Sequence, residues 1–334
     1  MKTGAFAIVR NAVDIAPLTA LHHCLIGAHT VWVVDNGSSD GTYEILRDLA
    51  RKVPTLRIDR DAGPFDQARM ATDLANALLR DGHRLLVPFD ADECWDLSIP
   101  RLARFMARHQ VNAVTGSVVN YVQARSVAAP FPGSWRLASR RVERPMDPGN
   151  MQGSLREERH SFVQLIYTRK MLAAPPSGTQ VAVNKGAHVV GYEGRAAMHW
   201  RRFACLHLPL RAASELEKRV RDYKDRHAPF RIGPDSGWRL NYWSEMLESG
   251  QIEREWAANA YAPDGTLDIF GRPAPTVRDD RLVRYLRRAD LYRKAMRPLP
   301  ARLWAAAARA VLKPRFASVK APAGVDVAPR SDQR

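Results

Sequence analysis

Two short stretches gather the side chains with which this chain of 334 residues could do chemistry. In RLLVPFDADECW, residues 84–95, an apolar run passes straight into Asp90, Asp92 and Glu93. Carboxylates this close repel one another when buried alone, so they need solvent or a cation. A hard divalent ion such as Mg2+ or Mn2+ takes carboxylate oxygens and shares its remaining positions with substrate phosphates. A solvated acidic turn is the plainer reading of the same residues. In VVDNGSSDGT, residues 33–42, Asp35 closes an apolar run and Asn36-Gly37 makes a turn. Ser38, Ser39 or Asp40 can then cap a following helix. As structure alone this is a capped turn; as chemistry, Asp35 can accept from a ring N–H or a ribose hydroxyl.

Both stretches need elements to hold them, and the first 125 residues alternate short β-rich runs with helical patterns. AFAIVR precedes a helix through Leu25, TVWVVD one over 41–52, LRID one over 65–80, and RLLVPFD one over 99–110, before VNAVTGSVVNYV. That alternation predicts an α/β fold with a doubly wound, mostly parallel, Rossmann-like sheet. Such sheets bind ligands at the carboxyl ends of their strands, where both motifs fall. Residues 126–160, rich in Pro, Gly and Arg, are expected to form a mobile lid or acceptor-binding loop. Further β-like runs (SFVQLIYTR and TQVAVNKGAHVVGYEG) and a charged helix from Pro209 to Arg226 lead into helical stretches. The expected organisation is a nucleotide-binding domain over 1–230, with 161–230 completing the metal and acceptor parts. A basic helical extension over 231–312 and a disordered tail over 313–334 would follow.

Together the motifs resemble the nucleotide-sugar glycosyltransferases of the GT-A fold, in their family-2-like branch. The resemblance rests on Val9-Arg10-Asn11 ending the first strand, Val33 to Thr42, and Asp90-Ala91-Asp92-Glu93, and covers residues 4–125. It implies a donor site with Arg10 and Asn11 near the nucleotide, Asp35 with Asn36, Ser38, Asp40 and Asp61 around base and ribose, and Asp90 and Asp92 holding a metal-bound diphosphate. The chain departs from the pattern at Ala12, where relatives carry Glu, with Asp14 a candidate replacement. KGAH (185–188) and HLPLR (207–211) followed by Lys218 are similar to the branch's later segments. They imply His207, with His188 as runner-up, completing a Mn2+ or Mg2+ site, and Arg211 and Lys218 neutralising the leaving diphosphate. The implied reaction is a metal-dependent, inverting sugar transfer to a glycan or lipid-linked acceptor in cell-surface polysaccharide synthesis. Inversion needs a carboxylate base; Glu193, Asp147, Glu157 and Glu158 are the candidates. A catalytically inactive glycan- or partner-binding protein of the same fold is the alternative.

Charge and composition bound these readings. The chain has 51 Lys and Arg against 35 Asp and Glu, a formal charge of +16, and is 46% hydrophobic. Disorder throughout is excluded by the apolar content, and no apolar run reaches the length of a membrane span. The stretch before Arg10 is too short for a signal peptide, so a cytoplasmic location is expected. Cys24, Cys94 and Cys205 lack metal-site spacing and are expected as buried thiols. From Arg278 onward there are 15 basic and 5 acidic residues, which leaves the rest of the chain nearly balanced. No stacking sheet or helix-turn-helix pattern accompanies the charge, which argues against nucleic acid. The basic helices RLVRYLRRADLYRKAM and ARLWAAAARAVL instead suit peripheral contact with an anionic inner-membrane face, or packing on the domain.

Overall fold

The computed structural model describes residues 1–192, 198–227 and 238–296. Its first half follows the expected alternation: β1 (Thr3–Val9), α1 (Ala16–Leu25), β2 (Thr30–Asp35), α2 (Thr42–Lys52), β3 (Leu56–Arg60), α3 (Gln67–Arg80) and β4 (Leu85–Pro88). Then come β5 (Glu93–Trp95), α4 (Ile99–His109) and β6 (Ala113–Ala124). β1, β2, β4 and β6 are mostly apolar, while the edge strand β3 is charged; the helices carry local start signals. Asp66 Oδ1 accepts from the Arg69 N–H at 3.1 Å to cap α3, and Pro17 and Pro100 sit in the first turns of α1 and α4.

The next elements are β7 (Arg140–Val142), α5 (Met151–Arg156), β8 (Lys170–Ala173), the hairpin strands β9 (Val181–Val183) and β10 (Val190–Tyr192), and β11 (Met198–His207). After α6 (Ala213–His227), α7 (Trp238–Glu248) and α8 (Ile252–Asn259) come β12 (Ala260–Tyr261), β13 (Thr266–Ile269), β14 (Arg272–Arg278) and α9 (Arg281–Ala295). The main sheet runs β13-β14-β7-β6-β8-β4-β1-β2-β3, with β11 paired to both β5 and β6 and β12 to β6. β1 to β4 are mutually parallel; β8 is antiparallel to both β4 and β6, so β6 and its parallel partner β11 run with them. The carboxyl ends of β1, β2, β3, β4 and β11 therefore emerge along one edge. Helix α3 covers one face through Leu74 and Leu78 against Phe6, Trp32 and Leu86.

Trp95 on β5 lies flat against β6, where a Cβ on Gly116 would come within 2.4 Å of its ring. Only glycine fits there.

The expected organisation meets a different arrangement at three points. Residues 126–160 are not loop throughout: β7 pairs with both β6 and β14, and Trp135, Val142 and Leu155 are buried. The stretch from 231 is not wholly helical, because β12, β13 and β14 join the sheet. Contacts gather Met1–Leu299 into one unit, so the boundary expected at 230 falls inside it. The first basic helix, α9, buries Leu282, Leu286 and Ala289 and packs on α1, leaving that apolar face unavailable to lipid. The helix expected over 301–312 and the tail over 313–334 lie outside the described residues. Tyr242, Trp243 and Trp135 fill the core. The cysteines are free thiols, with Cys94 and Cys205 buried.

Candidate active site

Two loops interlock at the carboxyl ends of β1 and β2. The Asn11 N–H donates to Ser38 Oγ at 2.9 Å, the Ala12 N–H to Thr42 Oγ1 at 2.9 Å and the Val13 N–H to Asp40 Oδ2 at 3.2 Å. Asn11, held at φ +48°, returns its side chain to the same loop, where Oδ1 accepts from the Ser39 N–H at 3.0 Å. Its Nδ2 donates to Asp222 Oδ2 on α6 at 2.8 Å. Gly37, at φ +70°, turns the second loop where a side chain would be strained. Asp40 also takes the Thr42 N–H at 3.0 Å, so both its oxygens serve the backbone. Asp40 is thus a capping residue in this arrangement. Asp61 Oδ1 accepts from the Gly63 N–H at 2.9 Å, closing a turn.

Asp35 is wholly buried; its Oδ1 accepts from the Ser38 N–H at 3.0 Å and lies 3.6 Å from Arg60 Nε. Its Oδ2 has no partner among the described residues, and neither do Asn36 Oδ1 and Arg10 Nε beside it. Arg10 Nη1 donates to the Asn36 carbonyl at 3.2 Å, which keeps the three groups together. A buried polar atom without a partner costs about 1–3 kcal/mol, so three in one corner suit a polar ligand.

Around the acidic motif, Lys170 is the side chain that organises the charges. It is buried on β8, with Nζ 2.7 Å from Asp90 Oδ2 and 2.6 Å from Glu93 Oε2. Burial opposes its charge, yet Asp90 and Glu93 together hold the ammonium protonated. Burial in turn pushes the Glu93 carboxyl up to about 7 against the pull of Lys170. Asp90 Oδ1 also accepts from Gln67 Nε2 at 3.2 Å. Gln67 Oε1 takes the Gly186 N–H at 3.0 Å, tying in the turn that carries His188, which itself is not placed on the carboxylates.

Asp92, 8% exposed, faces the other way. Its Oδ2 lies 3.4 Å from Arg219 Nη2 and 4.0 Å from Arg211 Nη1, and its Oδ1 lies 3.6 Å from His207 Nε2. Burial would raise this carboxyl, but His207, Arg219, Arg211 and Lys170 outweigh it and hold it below the ordinary range. Burial lowers His207 to about 4, so its ring is neutral at pH 7. Asn120 Nδ2 donates to the carbonyls of Val163 and Leu165, both at 3.2 Å, so its Oδ1 must accept from His207 Nδ1 at 2.9 Å. The proton therefore sits on Nδ1, and the Nε2 lone pair meets a carboxylate oxygen. Two electron-pair donors converging without a proton between them fit a cation, with Asn120 orienting the imidazole from behind.

Among the described residues no three His, Cys, Asp or Glu side chains form a complete metal cage. Asp92 and His207 could hold a cation only as two donors of a site that phosphate oxygens completed. Asp90, expected as a ligand, has its oxygens engaged by Lys170 and Gln67. Arg211 Nε lies 2.7 Å from Asp14 Oδ2 and its Nη2 bonds Glu215, so it braces the site through neighbouring acids. Lys218 points to solvent; one residue on, Arg219 shares the face of Glu215 at i+4 and reaches Asp92. The expected bases are placed elsewhere: Asp147 caps Gly149, Glu157 pairs with Arg159 at 2.9 Å, and Glu158 with Arg254 at 2.6 Å. Glu193 lies outside the described residues.

Residues 18–152 match the family model described as glycosyl transferase family 2. That segment is what the chain shares with family 2 glycosyltransferases. It carries Asp35, Asp90, Asp92 and Asn120, while Lys170, His207, Arg211 and Arg219 lie beyond it. Among solved structures, TarS of S. aureus is 15% identical over 40% of this chain, at a TM-score of 0.27; the chain spans 23% of TarS. The mannosyltransferase PcManGT from Pyrobaculum calidifontis, solved in complex with GDP-Man and Mn2+, is 17% identical. That likeness covers 94% of this chain and 81% of PcManGT, at a TM-score of 0.34. No curated protein matches the chain.

Proposed function

We propose that this protein is a family 2 nucleotide-sugar glycosyltransferase that uses a divalent cation, Mn2+ or Mg2+, and transfers with inversion to a glycan or lipid-linked acceptor. The observation that carries the reading is the convergence of Asp92 Oδ1 and His207 Nε2 at the strand ends. Asp35, Asn36 and Arg10 would bind base and ribose through their unpartnered atoms. Asp92 and His207 would hold the cation, which when bound supplies a Lewis acid that neutralises the leaving diphosphate. Arg219 and Arg211 keep Asp92 ionised and add positive charge where the diphosphate departs. Lys170 keeps Asp90 and Glu93 in place. Residues 300–334, with seven Lys and Arg against two Asp, would bring the enzyme to the anionic inner face of a membrane.

The test is a melting series with nucleoside diphosphates, with and without Mn2+. A rise that needs both nucleotide and Mn2+, and that Asp92→Asn removes, supports the reading; a rise indifferent to Mn2+ defeats the metal role. The anomeric configuration of the product, read by NMR, decides inversion. A second reading has Lys170 behind it: its ammonium already neutralises two of the three acidic residues, so transfer without a metal would show as a Mn2+-independent rise that Asp92→Asn spares.

A further inference from the structure

Away from the strand ends, a cleft of about 560 Å³ opens between the exit of β7, residues 159–164 and the β13–β14 hairpin. Its size is that of a small-molecule site. Most of its lining lies beyond the family-matched segment, in parts of the chain that do not build the donor site. We propose that this cleft binds the anionic group, phosphate or carboxylate, of the acceptor. The proposal rests on the glycosyltransferase reading above.

The lining carries three arginines, Arg144, Arg159 and Arg272, against one acid, Glu143. Arg272 is pinned by donating to the backbone carbonyls of Glu158 and of Arg159, the latter at 3.1 Å, and to the carbonyl of Ile269 at 3.3 Å. Those partners are neutral, so the guanidinium is oriented but its charge is not cancelled. Arg144 has no ion-pair partner among the described residues, whereas Arg159 is partly neutralised by Glu157 at 2.9 Å. The imbalance is felt by His160 on the same wall: burial, then Arg159 and Arg272, all disfavour its charged form. Pro273 and Met146 supply apolar surface, Met146 being 42% exposed, as an amphipathic ligand would need.

The cleft is joined to the candidate active site by one segment. Gln164 lines it, and the flanking carbonyls of Val163 and Leu165 hold the Asn120 amide that orients His207. Met146 locks to this segment by donating its N–H to the Gln164 carbonyl at 2.7 Å and accepting from the Ile166 N–H at 2.9 Å. A ligand seated against Gln164 and Met146 is thus backed by the residues that position the proposed metal ligand.

The experiment uses the full chain and follows the His160 ring signals by NMR while titrating glycerol 1-phosphate, glucuronate or neutral glycerol. The expected result is that an anionic probe shifts His160 and raises its pKa, glycerol does not, and Arg144→Gln weakens binding at least tenfold. Arg272→Gln should do the same; Arg144→Gln is the cleaner variant because it removes no bond to the backbone. Which anion binds distinguishes a phosphate-bearing from a uronate-type acceptor. Silence from both anions, equal binding of glycerol, or unchanged affinity in Arg144→Gln overturns the proposal. Nucleoside diphosphate binding by the wild-type chain is measured separately. Its failure defeats the donor reading, and with it the acceptor role, even where the cleft takes an anion.

Discussion

Lys170 Nζ lies 2.6 Å from Glu93 Oε2 and 2.7 Å from Asp90 Oδ2, so one buried ammonium from β8 holds together an acidic motif made by β4 and β5. Removing it while keeping the acids leaves charge buried without compensation. Lys170→Met should destabilise the fold by about 3–5 kcal/mol at pH 7. In that variant the acids titrate upward, so the folded state binds more protons than the unfolded one, and stability should recover as pH falls toward 5. Urea unfolding at pH 5, 6 and 7 checks this; a loss that is the same at all three values would contradict it.

Asn120 is expected to act through His207. Asn120→Ala removes the acceptor for His207 Nδ1 and frees the ring to change tautomer and orientation. Mn2+-dependent nucleotide affinity should fall about 10–100-fold with little change in metal-free nucleotide binding. Calorimetric titration with and without Mn2+ separates the two, and equal losses in both would mean Asn120 matters only to folding.

His22 provides a pH signature of the fold itself. It is buried, bonds the Trp95 carbonyl at 2.9 Å and packs against Tyr285, and burial lowers it to about 4. Between its unfolded value near 6.5 and about 4 the unfolded chain takes up a proton that the folded chain refuses. Stability should therefore fall as pH drops through that window, by about 3 kcal/mol in all for this residue. His22→Gln, which can still reach the Trp95 carbonyl, should flatten the profile over pH 4–6.5; an unchanged slope would shift the effect to His23, which is also buried.

Truncation tests where the body ends. Tyr285 bonds Asp96, and Arg281 lies 2.9 Å from the same carboxylate, just past the strand that bears Glu93. Cutting before Arg278 strips α9 from α1 and should lower the melting temperature by several degrees, whereas cutting after Leu299 should leave it within about 1 °C and abolish binding to anionic vesicles. Vesicle binding that survives the second cut would remove the tail from the membrane proposal.

What the sequence revealed was what lies close along the chain. The alternation of strands and helices over the first 125 residues, and the carboxylates at their ends, are local patterns, and the structure places Asp35, Asp90 and Asp92 along one edge. What the sequence does not display is long-range or carried by residues of the less expected type. Lys170 sits alone in a short strand with no motif around it, and its meaning arises only when β8 is inserted between β4 and β6. Arg219 is legible from its i+4 spacing to Glu215, but the adjacent Lys218 is the residue that fits the later pattern the chain resembles. β12 and β13 have only two and four residues and β14 carries Pro273 and Pro275, so helical neighbours with strong periodicity obscured them.

The mutual hydrogen bonding of the 10–13 and 36–42 loops carries a further consequence. The conformational entropy of ordering both is lost when the chain folds, so under the proposed function a nucleotide arriving at Asp35 would meet a preorganised cradle instead of having to close one. Faults in that cradle should therefore appear in unrelated-looking places: a change at Thr42 or Ser38, neither of which need touch the ligand, would slacken the loop bearing Arg10 and Asn11 and weaken binding from across the turn.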